Sequence, residues 1–365
     1  MRVLAIDPEP SSFRGGQEKS LFDILVGLKG RGHDIILAYV TPGDYLDQYE
    51  EHGVRTIQIH TTKNEGFQLK SFYRLFLSTL KLRSLAKADV IYINEIVDLP
   101  IAALLTLMRP SLRLVCHFRL PPPEIPLFKN RKNVIGIAIG QVNQFIVANN
   151  NMLNAYIGAG IPKEKLSVIP NCFLMDKLKF RKSEKNDGLK VIGFLGRLAE
   201  PKGLHHLIDA LAILNEGPKY HLLVGGMPKR KEHFEYERHI KEKIDKLGLN
   251  GKVEFVGHVS NTASFFSRIN LLVFPSIVNE SFGRVMVESI MADTPVIARK
   301  VGATSEILDD PEEKWIFSTT QELVDKIKYY FEVPGSYNLN NKQIFMEENF
   351  SISKVLPKIE TVLKK

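Results

Sequence analysis

Val191-Ile192-Gly193-Phe194-Leu195-Gly196-Arg197-Leu198-Ala199-Glu200-Pro201-Lys202-Gly203-Leu204 reads as a strand, a Gly-Arg turn and the opening of a helix. A short run of apolar and small residues without alternation suits a strand covered on both faces, as in a parallel sheet. From Leu204 onward the apolar residues recur at helical spacing as far as Leu214. The same alternation extends in both directions. Residues 3–6, 35–39, 90–93, 113–117, 145–147 and 167–169 read as one set of strands. Residues 191–195, 221–224, 253–256, 271–274 and 295–298 read as a second set. Helical periodicity fills segments between them, at 18–27, 99–108, 203–214, 235–247 and 283–292. Strands alternating with helices predict parallel sheets. Two such sets in 365 residues predict an α/β protein of two Rossmann-like domains, 1–172 and 173–349, facing each other across a deep cleft. The polar run 182–188 reads as the linker or a surface loop just after it, and 350–365 reads as a terminal helix.

Composition narrows the class. A chain that is 44% hydrophobic and 25% charged has an ordinary globular balance. Its two cysteines, Cys116 and Cys172, follow apolar runs and read as buried thiols of a reducing compartment rather than a disulfide framework. No His/Cys cluster has zinc spacing, and no run of about 18 apolar residues suggests a membrane span. Residues 1–7 read as a first strand rather than a leader, because charge and proline follow too soon. These features predict a cytoplasmic protein. The net charge of +8 is spread over both halves rather than gathered in a tail. No helix-turn-helix or aromatic RNA-binding motif accompanies it, so nucleic acid is not an expected partner.

Two clusters carry candidate chemistry. In the first, Gly196-Arg197 closes the strand and Lys202-Gly203 opens the helix. Arg197 is a planar donor fork and Lys202 a compact positive charge, a pair suited to a diphosphate. The second is Asn279-Glu280-Ser281-Phe282-Gly283-Arg284-Val285-Met286-Val287-Glu288. Glu280 precedes a Ser-Phe-Gly turn whose backbone N–H groups, at Ser281, Phe282 and Gly283, would face an anion or a sugar from a helix N-terminus. Glu288 follows about two turns later, so the spacing suggests one ligand held at two separated points.

In this order the clusters resemble the nucleotide-sugar half of the retaining glycosyltransferases of family 4. Pro295-Val296-Ile297, Ile169-Pro170-Asn171 and Gly15-Gly16 add to the match. The resemblance departs at Asp293-Thr294, where the family has a small residue and a glycine, and at Asn171-Cys172-Phe173, where Asn-Gly-Val is common. It implies a GT-B architecture, with the terminal helix returning to an acceptor-binding first domain. It implies transfer of a hexose from a nucleotide diphosphate sugar, first among them UDP-glucose, to a hydroxyl of a glycan or lipid-linked acceptor, with anomeric retention. Glu280 would meet the sugar hydroxyls and Glu288 the ribose. Arg197 and Lys202 would neutralise the leaving diphosphate, so neither cofactor nor metal is expected. Gly15 and Gly16 would let backbone close over the phosphates. His117, read as the end of its strand, would point to the reacting sugar, with Arg119 beside it. Gly257-His258-Val259, a strand-end loop, would read the base, and Gly196 would belong to the phosphate turn.

Other enzymes of the same architecture are alternatives: an epimerase-like enzyme acting on the nucleotide sugar without an acceptor, or a phosphorylase, for which nothing identifies a pyridoxal-phosphate lysine. A non-catalytic nucleotide-sugar sensor would be expected to have lost Glu280 or Lys202, and both are present. A final feature is the stretch 69–87, which carries Lys70, Arg74, Lys81, Arg83 and Lys87, no acid, and interleaved Phe and Leu residues. With Leu127-Phe128-Lys129-Asn130-Arg131-Lys132 it suggests a peripheral contact with the inner face of an anionic membrane. A surface helix packed on its own domain explains the same residues.

Overall fold

The computed structural model describes residues 1–62, 69–122, 134–178, 189–215 and 220–364. The polar run 182–188 and the basic segment 127–132 lie outside the described residues. The chain divides into two compact units, Met1–Phe173 with Phe350–Lys365, and Leu174–Asn349.

The first unit is built on a seven-stranded sheet: β1 (Arg2–Ile6), β2 (Asp34–Tyr39), β3 (Arg55–Gln58), β4 (Val90–Ile93), β5 (Arg113–Phe118), β6 (Gln144–Val147) and β7 (Leu166–Val168). Their order is β3-β2-β1-β4-β5-β6-β7, and neighbouring strands pair in parallel. The second unit holds β8 (Lys190–Leu195), β9 (Tyr220–Gly225), β10 (Val253–Gly257), β11 (Leu271–Phe274), β12 (Val296–Arg299) and β13 (Ile316–Phe317), ordered β10-β9-β8-β11-β12-β13. Both are doubly wound sheets in which the chain works outward from its first strand and then returns to that strand's other side. Ligands in such sheets lie beyond the C-terminal strand ends, where the winding reverses. Those places are β1/β4 in the first unit and β8/β11 in the second.

The central strands are continuous apolar runs because both of their faces are covered: Val3 to Ile6 and Val90 to Ile93 are almost wholly buried. Two strands have no counterpart in the sequence reading, β3 and β13. Both are sheet edges, where a strand needs little apolar surface. Arg55-Thr56-Ile57-Gln58 is largely polar, and Ile316-Phe317 is only two residues long.

The terminal helix Ile352–Lys364 belongs to the first unit and buries Val355, Leu356, Ile359, Val362 and Leu363 in its core. Each such side chain contributes about 1.5–3 kcal/mol when fully removed from water. The helix seats closely on Gly16–Gly30 because Gly27 has no side chain: a Cβ there would collide with Ile352 and Leu356. At the rim Glu360 accepts from Arg31 Nε and Nη2, at 2.7 and 3.1 Å, and lies 2.9 Å from His33.

Candidate functional site

In the second unit the residues singled out in the sequence gather at the C-terminal ends of β8, β10 and β11. After Leu195 the chain leaves the sheet with the Gly196 N–H donating to the Gly225 carbonyl at 3.0 Å. Arg197 follows and is exposed. A short turn, Glu200–Lys202, then leads into the helix Leu204–Leu214 through Gly203, which has φ +72°. Only glycine fits there, because a Cβ would run into the Pro275 carbonyl, the residue just beyond β11. This contact brings the two strand-end loops together. The Pro201 carbonyl accepts from the Ile277 N–H at 2.9 Å.

Across this junction lies the central pair of the site. Lys202 Nζ donates to Glu280 Oε1 at 2.5 Å, and Ser276 Oγ donates to the same oxygen at 2.6 Å. Lys202 and Glu280 are partly exposed, at 30% and 21% of their side-chain surface, so a ligand can reach them. Ser276 is buried. The loop carrying Glu280 is held from the other side by Asn279, whose Oδ1 accepts from the Gly302 N–H at 3.0 Å. Gly283, at φ +68°, turns this loop into the helix Arg284–Met291. Phe282 packs inward, whereas Ser281 and Gly283 are half-buried.

Glu288 stands on that helix and is buried, with Arg284 Nε 3.4 Å from its Oε1. Gly257, His258 and Val259 close β10 and are half-buried, and the Gly257 carbonyl accepts from the Gly226 N–H at 2.7 Å. Two residues of this region escaped the sequence reading. Ser276 stands four residues before Glu280 in a loop, where a serine carries no signal of its own. His233 is buried near Arg197; burial first, and then the Arg197 charge, lowers its pKa.

In the first unit Gly15 and Gly16 form the N-terminal end of the helix Gly16–Gly30, which follows β1. His117 departs from its expected place. Strand β5 runs on to Phe118, and the His117 ring is fully enclosed. Its Nδ1 lies 2.6 Å from the Tyr92 hydroxyl. That hydroxyl also accepts from Arg119 Nη2 at 3.5 Å. Burial, and after it the Arg119 charge, hold the imidazole neutral. His117 thus presents no atom to solvent in this structure. Arg119 is buried as well and donates to Asn94 Oδ1 at 2.7 Å and Asn171 Oδ1 at 2.6 Å.

The winding reversal of the first unit holds charge of another kind. Asp7, at the end of β1, is buried; its Oδ1 accepts from the Glu9 N–H at 3.2 Å, while Oδ2 has no hydrogen-bond partner among the described residues. Arg14 bridges Glu18 at 3.0 Å and Glu95 at 2.9 Å. Burial pushes the Asp7 carboxyl up to about 6 and that of Glu18 up to about 7, against the pull of Arg14. Asp98, buried under Thr62, is likewise pushed up to about 7.

Comparison with known proteins fits this geometry. The model of the glycosyl transferases group 1 matches residues 175–344, and that of glycosyltransferase family 4 matches residues 14–174. The lipopolysaccharide core biosynthesis mannosyltransferase LpsB of Rhizobium meliloti is 31% identical over 126 residues, 34% of this chain and 35% of that protein. Indeed the chain spans only about a third of the length of several curated relatives it matches. An uncharacterised 42.6 kDa protein from the cps region of Klebsiella pneumoniae is 23% identical over 91% of this chain and 92% of its own. Among solved structures, Anabaena HepE in complex with UDP and glucose superposes with a TM-score of 0.83 at 23% identity, covering 100% of both chains. That likeness is one of fold, and the fold is GT-B. With one family model on each of its two units, the chain belongs to the glycosyl transferases of group 1, family 4.

Proposed function

We propose that the chain is a retaining, metal-independent hexosyltransferase that moves a sugar from a nucleotide diphosphate donor to a hydroxyl of a glycan or lipid-linked acceptor in polysaccharide or glycolipid synthesis. The observation that carries this reading is the Lys202–Glu280 pair, set where the sheet of the second unit reverses its winding and reachable from solvent. A nucleoside diphosphate leaves with growing negative charge. A fixed cation at that point stabilises the departing phosphate more than the bound donor, which lowers the barrier. Lys202 takes this role, and Arg197, just beyond the end of the same strand β8, supplies a second cation.

Glu280 accepts from Lys202 and Ser276 on one oxygen, which leaves its other oxygen to orient sugar hydroxyls. Glu288 accepts from the ribose hydroxyls, with Arg284 holding its carboxylate in place. The bond from the anomeric carbon to the diphosphate oxygen breaks, and a bond to the acceptor oxygen forms on the same face. The acceptor proton passes to the leaving phosphate. Retention by this route needs no carboxylate nucleophile. His117, enclosed in the first unit, is given no part in it.

UDP-glucose is the first donor to test. HepE was solved with UDP and glucose, while LpsB is named a mannosyltransferase, so GDP-mannose is the control. Thermal-shift screening of UDP-glucose, other UDP-hexoses and GDP-mannose comes first, because a ligand bound only by the folded state raises its melting temperature. Donor turnover is then followed with and without excess EDTA. Turnover unchanged by the chelator is the expected result. Loss with EDTA and recovery with Mg²⁺ or Mn²⁺ would sink the metal-independent mechanism.

A further inference from the structure

The helix Leu69–Ala86 turns one stripe inward and leaves another uncovered. Leu75, Ser78, Thr79 and Leu82 are buried. Ser78 Oγ accepts from the backbone N–H groups of His60 and Thr61, at 3.1 and 3.2 Å, which fixes the rotation of the helix on its unit. With that rotation set, Phe72, Phe76 and Leu80, spaced four residues apart, form a second stripe with Tyr73 at its side. These four are exposed at 43, 46, 37 and 62% respectively. Such a contiguous aromatic stripe marks a surface meant to be covered. Lys70, Arg74 and Lys81 lie along its outer border, and Arg83 lies within it. None of these four cations forms an ion pair with a described residue, and the helix has no acidic residue. The helix Leu99–Met108 packs beside it, and Val134–Gly140 packs beside that one in turn. Each contributes a further exposed apolar side chain, Leu107 and Ile137.

We propose that this helix seats the first unit on an anionic lipid bilayer. Phe72, Tyr73, Phe76 and Leu80 enter the boundary between headgroups and acyl chains, and Lys70, Arg74 and Lys81 meet the headgroup phosphates. The charge pattern selects the occupant. A stripe of aromatic and aliphatic side chains edged only by cations matches a surface that is apolar within and negative at its rim. Among the described residues no helix is long and apolar enough to cross a membrane. The proposed attachment is peripheral and reversible, at about 1 kcal/mol per cation near an anionic surface. The inference is independent of donor chemistry and survives or fails apart from it.

Flotation of the full chain with vesicles tests it. Phosphatidylcholine mixed with phosphatidylglycerol should carry the protein upward, and phosphatidylcholine alone should not. Added salt should weaken the binding. Lys70→Glu, Arg74→Glu and Lys81→Glu together should weaken it about a hundredfold, at roughly fivefold per cation near an anionic surface. Phe72→Ser with Phe76→Ser should abolish it while circular dichroism stays unchanged, since both side chains are exposed. A Tyr73→Trp variant should shift its emission to the blue only with the anionic vesicles. The native Trp315 is buried in the other unit and supplies a constant background. Absence of binding to anionic vesicles at low salt would overturn the proposal. So would binding that the serine and glutamate variants retain. Vesicle-free dimers that dissociate on Phe72→Ser with Phe76→Ser would overturn it in favour of a second copy of this chain on the same stripe.

Discussion

The two winding reversals share a strand order and differ in the state of their charges. In the second unit Lys202 and Glu280 meet where both are partly exposed, and a ligand can exchange with either partner. In the first unit Asp7, Glu18 and Asp98 are sunk below the surface and drawn toward their protonated forms, with Arg14 the cation that bridges Glu18 and Glu95. The same topology can therefore present charge for chemistry or bury it to shape a wall. A partly exposed pair can trade its internal contact for a substrate, whereas a buried carboxyl without a partner costs stability whenever it is ionised.

Lys202→Ala should break the comparison most sharply. Turnover should fall about a hundredfold or more, the scale for removing a donor to developing negative charge. Melting temperature should hardly move, since a partly exposed ion pair contributes little to stability; a large drop in stability with turnover intact would make the pair structural, like its counterpart in the first unit. Glu288→Gln comes next. It keeps the shape beside Arg284 but removes the charge, and should weaken UDP binding by about 1.5–3 kcal/mol, the range for hydrogen bonds to charged groups. UDP and UDP-sugar should suffer equally by calorimetry, and an effect confined to the sugar would reverse the roles of the two glutamates.

Arg14→Ala should behave in the opposite manner to Lys202→Ala. It should cost about 2 kcal/mol of stability at neutral pH by leaving Glu18 buried beside no cation. Denaturant titration at pH 5 should show a smaller cost, because Glu18 then carries a proton. Ser276→Ala should be milder, a loss of about 1 kcal/mol in orienting Glu280, or roughly fivefold in kcat. Its signature is a drop in kcat with little change in stability, and an unchanged kcat would show that Lys202 alone orients Glu280.

The last effect is a slope rather than a step. Burial raises Asp98 from an ordinary 3.8 to about 7, so the folded state binds more protons than the unfolded one between those values. Stability is unaffected by this group below that window, falls as pH rises through it, and bears the full cost above it. Asp7 and Glu18 act in the same direction. Asp98→Asn, which keeps the oxygen that accepts from Thr62, should flatten the fall in unfolding free energy between pH 4 and 7. A slope identical to that of the parent chain would show that Asp98 stays charged in the folded state.

The second unit was the more legible of the two because its chemistry lies in contiguous runs. Gly196-Arg197 and Lys202-Gly203 share one strand–helix turn, and Glu280 to Gly283 share another, so the order of residues already carried the geometry. The first unit's network comes from separate strands. Asp7 follows β1, Glu95 follows β4, and Arg119 follows β5, and nothing in their spacing connects them. Glu18, in the first turn of a helix, had the pattern of a solvated carboxylate, yet it is 3% exposed. His117 was misplaced for a related reason: a strand one residue longer and a tyrosine on the neighbouring strand decide its burial, and neither shows in its local sequence. The edge strands β3 and β13 escaped because pairing at a sheet margin rests on backbone hydrogen bonds more than on apolar pattern.

The helix Ile352–Lys364 fixes an order of assembly during synthesis. The core of the first unit includes Val355, Leu356 and Ile359, which the ribosome makes only after every residue of the second unit. Although its strands emerge first, the first unit must wait with the face of Gly16–Gly30 around Gly27 uncovered. The second unit, continuous from Leu174 to Asn349, can close at once. A chain truncated before residue 352 would therefore keep every residue of the second unit and leave the face of Gly16–Gly30 around Gly27 without its cover.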